Sequence, residues 1–367
     1  MNILVDGNYL FYKTLFIFGG YGSKGKILES KKDQEMFMRK VATDFSHSIR
    51  TFGNPDRIVF TMDSRSWRKD IEIEDGAYKG HRTEKSQEID WDAFYACMNE
   101  FSDILKEKGI IVSKIDRAEA DDLLFLWSQR LYQEGLDSVI ITGDRDLTQC
   151  VCFNDKNFVV VYNPNSKSRK IVAPDGFQEW LNKDDYDLFD ARTYMNRSRD
   201  ALVEAAKSMP IEEIDTKYVI FEKVITGDAG DAVPPIWTWS KEGKTYRVTA
   251  SKAKRMYEIL NVVKMVDDVY DLPNRSVEVS SSILATCKQS APSAAVKSRL
   301  ERNLSLVFLD SRVLPGDIQS AFRDSFDQAW DKKELGARTY DMNALLEGTK
   351  YVSRGNSFEA DIFSAFK

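Results

Sequence analysis

Three short apolar runs, each closed by an aspartate, constrain this chain more than any other feature. "NILVDG" ends on Asp6, "DRIVFTMDS" carries Asp63 at its end, and "SVIITGDRD" carries Asp144. Each is rich in Ile and Val and stopped by turn residues, which is how strands buried on both faces of a parallel sheet read. Helical periodicity fills the gaps, at about Gln34 to Phe52, Asp90 to Lys108 and Ala118 to Glu134. Strand–helix alternation of this kind predicts an α/β fold with a parallel sheet. "NFVVVYNP" predicts one further strand near Phe158 to Tyr162.

After about Lys170 helical segments dominate and strand signals thin out. "GDAGDAVPPI" is turn-rich, and "RVTASKAKRMYEIL" reads as a helix capped by Thr249 or Ser251. "NRSVEVSSSILATCKQSAPSAAV" is polar and rich in small residues, so a loose connection is expected there. The last stretch, "RGNSFEADIFSAFK", reads as a short tail.

The strand-end acids carry the functional signal. In an open parallel sheet Asp6, Asp63 and Asp144 share the carboxyl edge, where ligands bind. Asp146 follows Asp144 closely, and "AEADD" sets Glu119, Asp121 and Asp122 at a helix start. A lone Asp after a strand is usually a turn former, and acids in a first helical turn are usually caps. So many acids on one edge are harder to dismiss. Two unit charges 4 Å apart repel by about 4 kcal/mol at an effective dielectric of 20. Such a cluster raises its pKa values or recruits cations. Carboxylates and water suit Mg²⁺ or Mn²⁺, and two such ions are a standard device for phosphodiester hydrolysis.

Composition narrows the field. The 367 residues suggest more than one folding unit, and the two histidines, His47 and His81, weaken any mechanism built on a histidine base. The four cysteines are too scattered for a disulfide framework, and Cys150 and Cys152 lack a second pair for zinc. They read as reduced thiols of a cytoplasmic protein. No apolar run reaches membrane-spanning length, and no signal-peptide core is found at the N-terminus. The net charge of −6 argues against a wholly basic coat but allows a local basic surface. Residues 65 to 85 hold Arg65, Arg68, Lys69, Lys79, Arg82 and Lys85 among acids and aromatics. That pattern suits either a solvated mixed-charge loop or a phosphate-gripping arch.

With these motifs in place, the chain resembles the 5′-nuclease (flap endonuclease) family. It is most similar to the phage replication 5′-3′ exonucleases, including the phage ribonuclease H. "DGN", "MDS", "EADD", "GDRDLTQ" and "GDAGD" occur in the family's order, and "RNLSLVFLD" looks like a late segment of the phage enzymes. The resemblance implies a nuclease core of PIN-like or Rossmann-like type followed by a helical helix-turn-helix region. It implies Asp6, Asp63, Asp121 and Asp144 as first-metal ligands, with Glu119 and Asp122 holding metal or its waters. Asp146, Asp228 and Asp231 match the second-metal group. "YKGHR" looks like the arch motif, with Lys79 and Arg82 at the scissile phosphate and Tyr78 stacked on a base. "SWRKD" looks like a basic segment near the site, contributing Arg68 and Lys69. Thr249, Ser251, Lys252 and Lys254 would meet duplex backbone.

Two departures stand out. Ala232 follows Asp231 where the family has Asn, and Pro234-Pro235 replaces Pro-Gly. In the family that turn grips duplex, often with K⁺ bound. Residues 174 to 209 read as an insertion. The expected organisation is a nuclease core over 1–172 with an arch at about 64–90. The insertion and a helix-hairpin-helix-like duplex-binding region follow over 173–265, then a mainly helical region over 266–345 and a tail over 346–367. The implied activity is removal of RNA primers and flaps in phage DNA replication. Two Mg²⁺ or Mn²⁺ ions, and K⁺ at the turn, are the implied cofactors. Duplexes of DNA or RNA–DNA with 5′ ends or flaps are the implied partners, with a single-strand binding protein or sliding clamp besides and no membrane. A haloacid-dehalogenase-type phosphatase needs two Asp one residue apart after the first strand, and here Gly7-Asn8 follows Asp6. A silent nucleic-acid binding protein would have lost a ligand. A PIN-like single-strand ribonuclease would lack "GDxxD" and the helix after it.

Overall fold

The computed structural model describes residues 1–19, 26–73, 76–80, 88–165, 167–183 and 194–330. The four predicted strands form, as β1 (Asn2–Asp6), β2 (Arg57–Thr61), β4 (Ser138–Ile141) and β6 (Phe158–Asn163), and two short ones that were not predicted, β3 (Ile111–Ser113) and β5 (Cys152–Phe153), lie between them in the chain. Two more, β7 (Lys170–Pro174) and β8 (Ile211–Ile214), extend the same sheet. Its order is β3-β2-β1-β4-β6-β7-β8, with β5 beside β6. β3, β2, β1, β4 and β6 run parallel, β7 is antiparallel to β6, and β8 is parallel to β7.

Helices α1 (Gly7–Gly19), α2 (Lys31–Arg50) and α3 (Trp91–Glu107) cover one face. Phe11, Phe37, Phe45, Phe94 and Phe101 interlock there. Phe11 meets the rings of Phe37 and Phe101 edge-on at 5.7 and 5.6 Å. Such pairs contribute about 0.5–1.5 kcal/mol each beyond area burial. α1 was not anticipated, because it leaves β1 with no linker and is apolar on most of its surface. Gly7 makes that abrupt start possible: a Cβ there would stand 2.5 Å from both the Phe60 ring and the Thr61 carbonyl oxygen.

The chain continues through α4 (Ala120–Gln133), α5 (Phe177–Leu181), α6 (Tyr194–Ala206), α7 (Thr216–Thr226) and the hairpin β9 (Thr238–Lys241) with β10 (Lys244–Arg247). The last helices are α8 (Ala250–Asn261), α9 (Ser276–Cys287), α10 (Ser293–Val307) and α11 (Gly316–Ala329). α4 covers the second sheet face, and α11 covers α4. Trp127 of α4 is fully buried against Phe322 at 5.5 Å and Phe326 at 5.0 Å. α7 to α10 form a helical unit around Phe221, Val224, Met256, Ile283 and Leu304.

The packing crosses the expected unit boundaries. β7 spans position 172, β8 joins the sheet from within the 173–265 region, and α11 returns from the 266–345 region to the core. The loose connection expected after Asn274 is instead mostly α9. Its apolar Val279 and Ile283 recur at helical spacing, and Ser280, Ser281 and Thr286 donate their hydroxyls back to carbonyls four residues earlier. The expected tail, 346–367, lies outside the described residues.

Candidate active site

β1 is where the strand order reverses. β2 and β3 lie on one side of it and β4 and β6 on the other, so its carboxyl end opens a crevice. Asp6 closes β1 and is buried. It accepts from the Tyr9 backbone N–H at 2.9 Å, in the first turn of α1, and from the Thr142 hydroxyl at 2.8 Å. Asp63 follows β2 and accepts from the first N–H of α4 at Ala120, 2.7 Å away. Asn8 grips Asp63 reciprocally: its amide donates to the carboxylate at 2.6 Å and its oxygen accepts the Asp63 N–H at 2.9 Å. Asp144 folds over the next turn and accepts from the Asp146 N–H at 2.9 Å.

These acids disturb one another. Burial first, then the Asp63 and Asp144 charges, push the Asp6 carboxyl from 3.8 up to about 7, against the pull of Tyr9 and Thr142. Asp121, at the start of α4, is raised well above the ordinary range by burial and then by Asp144 and Asp6. Asp63 is raised too, by burial and then by Glu119, although the Ala120 N–H pulls it down. The carboxylates of Asp6, Asp63, Asp121 and Asp144 therefore lie near enough to disturb one another, with Lys79 the cation that acts on Asp63 and Asp121.

Glu119 and Asp122 meet a different environment. Asp122 is fully buried and takes both arms of Arg68, at 2.8 and 3.0 Å. It also accepts from the Trp67 indole N–H at 3.2 Å and from the Glu119 backbone N–H at 3.1 Å. Asp122 thus completes the capping box at the start of α4 and is paired with the Arg68 guanidinium. Arg68, expected at nucleic acid, is 2 % exposed and spent on Asp122 and on Glu119 at 3.1 Å. The 3₁₀ turn Trp67–Asp70 buries Trp67 and draws Arg68 inward. Lys69 of the same turn is exposed.

Tyr78, expected to stack on a base, is 4 % exposed. Its hydroxyl lies 3.1 Å from Glu119 and 3.0 Å from Asp231. Burial and then the Glu119 charge push that hydroxyl up, so it stays a donor. Lys79 reaches the rim of the cluster: its ammonium binds Glu119 and lies 3.8 Å from Asp231. Burial works against the Glu119 charge, but Lys79 and Arg68 hold that carboxyl below its usual range. Lys79 adopts a left-handed φ of +55°, a strain of about 1–2 kcal/mol for a residue with a Cβ. Its N–H bond to the Asp231 carbonyl, at 2.8 Å, secures that backbone. Arg82 lies outside the described residues.

Asp146, Asp228 and Asp231 form the second group, each offering an oxygen within 4.8 Å of the others. Lys223 was not anticipated from the sequence, since nothing but its place one helical turn before Gly227 marks it. Its ammonium bridges Asp146 and Asp228, the latter at 2.7 Å. Burial opposes the Asp228 charge, yet Lys223 and the Gly230 and Asp231 N–H groups hold its carboxyl below the ordinary range. A cation already lies between two of the three acids, and the four acids of the first group repel one another. Carboxylate oxygens of this kind are the donors that hard divalent cations take, and Asp146, Asp228 and Asp231 stand close enough to share one. Asp144 of the first group and Asp146 and Asp228 of the second line a cleft of about 590 Å³ together with Lys223.

The "GDAGD" loop is drawn tight by paired backbone bonds between Asp228 and Val233, at 2.9 and 2.7 Å. Gly227 has a left-handed φ of +67°, and a Cβ there would meet the Val233 oxygen at 2.3 Å. Ala232 takes φ +60°, so the turn keeps a left-handed residue without Asn or Gly. The "RNLSLVFLD" segment explains its own presence here. Asn303 is fully buried and donates to the carbonyls of Val224 at 2.8 Å and Pro234 at 3.0 Å, and Arg302 donates to Pro234 at 3.1 Å. Thr249 caps α8 and bonds Ser251, hydroxyl to hydroxyl, at 3.1 Å. Lys252 and Lys254 follow in the first turn, away from the acids.

The chain is similar to known nucleases. Residues 1–182 match the family model for the 5′-3′ exonuclease N-terminal resolvase-like domain. The 5′-3′ exonuclease of Buchnera aphidicola subsp. Schizaphis graminum is 24 % identical over 291 residues, covering 79 % of this chain and 82 % of that protein. DNA polymerase I of Chloroflexus aurantiacus is 27 % identical over 174 residues, 47 % of this chain and 17 % of the polymerase. The chain thus spans under a fifth of that polymerase. The bacteriophage T5 D15 flap endonuclease, solved as a pseudo-enzyme–product complex with DNA and metal ions, has the same fold. Its TM-score is 0.53 at 17 % identity, over 89 % of this chain and 98 % of that one. T5 5′-exonuclease with bound zinc gives 0.53 at 17 % identity, over 90 % of this chain and 100 % of that one. Matched over its core by the exonuclease domain and sharing its fold with a flap endonuclease, the chain belongs to the 5′-nuclease family.

Proposed function

We propose that this chain is a divalent-metal-dependent 5′-nuclease that hydrolyses phosphodiester bonds in DNA and RNA–DNA duplexes carrying 5′ ends or flaps. One observation carries the reading: acids from β1, β2, α4, the β4 loop and the "GDAGD" turn converge on one crevice. Asp6, Asp63, Asp121 and Asp144 would hold one Mg²⁺ or Mn²⁺, and Asp146, Asp228 and Asp231 the other. Bound there, divalent ions supply Lewis acidity for the attacking water and the leaving oxygen. The chain supplies the rest. Thr142, Asn8 and the N-termini of α1 and α4 aim the carboxylates, and Arg68 fixes the start of α4. Lys79 stands where charge builds on the phosphate. Removal of RNA primers and flaps at a phage replication fork, in the host cytoplasm, is the setting that the sequence resemblance supports. Among the described residues no helix is long and apolar enough to cross a membrane. Incubation with Mg²⁺ and an end-labelled flap, a nicked duplex and an RNA–DNA hybrid tests the reading. Short 5′ products are expected, and no cutting of any of the three overturns it.

Lys79→Ala should slow single-turnover cleavage about 100-fold or more, the loss typical of one donor at a developing anion. Duplex affinity should change by less than about threefold, because the contact strengthens in the transition state. Equal losses in rate and affinity would make Lys79 a plain phosphate anchor.

Proton and metal compete for Asp6. Its folded pKa of about 7 lies above the ordinary 3.8, so between these values the folded chain holds a proton that the unfolded chain has lost. The Asp6 contribution to metal-free stability is therefore full below about pH 4 and lost as pH rises through 7. Divalent metal should raise the melting temperature little at pH 5.5 and markedly at pH 8. A metal effect independent of pH, measured by thermal melting, would remove Asp6 from the ligand set.

A further inference from the structure

The hairpin β9–β10 projects from the turn that follows "GDAGD", and no acid of the crevice uses it. Its register sets Trp239 opposite Tyr246 and Lys241 opposite Lys244. Residues opposite one another share a face, and alternate residues do too. Trp239, Tyr246, Lys241 and Lys244 therefore occupy one side of the ribbon. The two rings stack at 5.9 Å and 15°, although Tyr246 is 40 % exposed. Lys252 of α8 completes this side, its ammonium 4.3 Å from the centre of the Trp239 ring.

Charge says what this side would meet. Residues 238–255 carry Lys241, Lys244, Arg247, Lys252, Lys254 and Arg255 against Glu242 alone, in a chain whose net charge is −6. Glu242 approaches only Lys241, at 3.9 Å. Among the described residues, Lys244, Arg247, Lys254 and Arg255 have no carboxylate within ion-pair reach. A basic ribbon whose one acid is the exposed Glu242 attracts a polyanion, and the stacked rings stiffen it at small entropic cost. The ribbon is also continuous with the turn. Arg247, on its other side, lines a cavity of about 480 Å³ with Gly227, Pro234, Pro235 and Thr249.

We infer that the β9–β10 hairpin is a second grip on duplex nucleic acid, with Lys241 and Lys244 contacting phosphates beyond those reached by the "GDAGD" turn and the start of α8, where Lys252 stands. This inference rests on the nuclease reading above and adds to it a surface that sets duplex affinity. Contacts to phosphate are blind to sequence and weakened by salt, with a log–log slope of about 0.9 per phosphate neutralised.

The test is fluorescence anisotropy of a labelled blunt duplex with the full chain in EDTA, where cleavage is off, across a salt series. Wild type, Lys241→Ala/Lys244→Ala and Lys252→Ala/Lys254→Ala are compared. The hairpin variant should flatten the slope by about 1 to 2 units and weaken binding at low salt roughly tenfold. The substituted side chains are exposed, and a thermal melt checks that the variant is folded. An unchanged slope and affinity in the folded hairpin variant overturns the inference, as does a wild type that does not bind duplex. Failure of the nuclease reading is separable: a wild type that binds duplex but cuts no flap, nick or hybrid in Mg²⁺ refutes the activity and leaves the hairpin grip standing.

Discussion

Asp144→Asn should abolish cleavage while leaving duplex affinity within about threefold. Asp144 is one of the acids that raise Asp6 and Asp121, and its own oxygen accepts the Asp146 N–H at 2.9 Å. Asn keeps an acceptor for that bond and so keeps the loop, but it withdraws one charge from the cation site. Losing about 4 kcal/mol of metal assistance corresponds to a rate loss of about a thousandfold. The same change relieves repulsion, so the metal-free variant should melt above wild type and its Asp6 should ionise more readily. Single-turnover kinetics in Mg²⁺, together with melting curves in EDTA, check both parts. Wild-type turnover by a pure preparation would remove Asp144 from the ligands. A lower melting temperature would mean that the acid cluster does not repel as its pKa shifts require.

Arg68→Ala should cost stability before it costs anything else. Arg68 is 2 % exposed, and its two hydrogen-bonding arms serve Asp122 and Glu119. Removing the guanidinium leaves a fully buried carboxylate without its partner, a loss of about 3–5 kcal/mol for a broken buried pair. Denaturant melts should show that fall. Asp122→Leu in the Arg68→Met background should recover part of it, because replacing both buried partners by apolar groups is far cheaper than removing one. The measurement also separates two roles for the basic "SWRKD" segment. A phosphate-binding arginine would change the salt slope of duplex binding and leave stability alone. The buried geometry requires the reverse, and Lys69, exposed on the same turn, is the segment's available cation.

The contrast between Arg68 and Lys69 shows what a sequence can and cannot carry. Adjacent basic residues read alike until a 3₁₀ turn buries Trp67 and points one of them inward. Asp122 and Tyr78 are the same case. Both sit in motifs that resemble those of the 5′-nuclease family, yet Asp122 is bound by Arg68 and Tyr78 by Glu119 and Asp231, contacts that bridge between 41 and 153 residues of chain. Lys223 carried no readable mark at all, because what makes it notable is the arrival of Asp146 from 77 residues away.

The sequence by itself determined the parallel α/β core, the strand ends that carry Asp6, Asp63 and Asp144, and the tight "GDAGD" turn. These depend on local periodicity, β-branched runs and turn chemistry, all written in neighbouring residues. Long-range packing set which acids crowd one another and which, like Asp122, are paired with a buried guanidinium. It also decided that β7, β8 and α11 complete the core and that Trp239, Tyr246 and Lys252 meet on one surface. The physical reason is that burial and charge pairing are properties of residues brought together across the chain. A carboxylate becomes a cation ligand or a buried ion-pair partner according to what packs against it, and no local pattern specifies that neighbour.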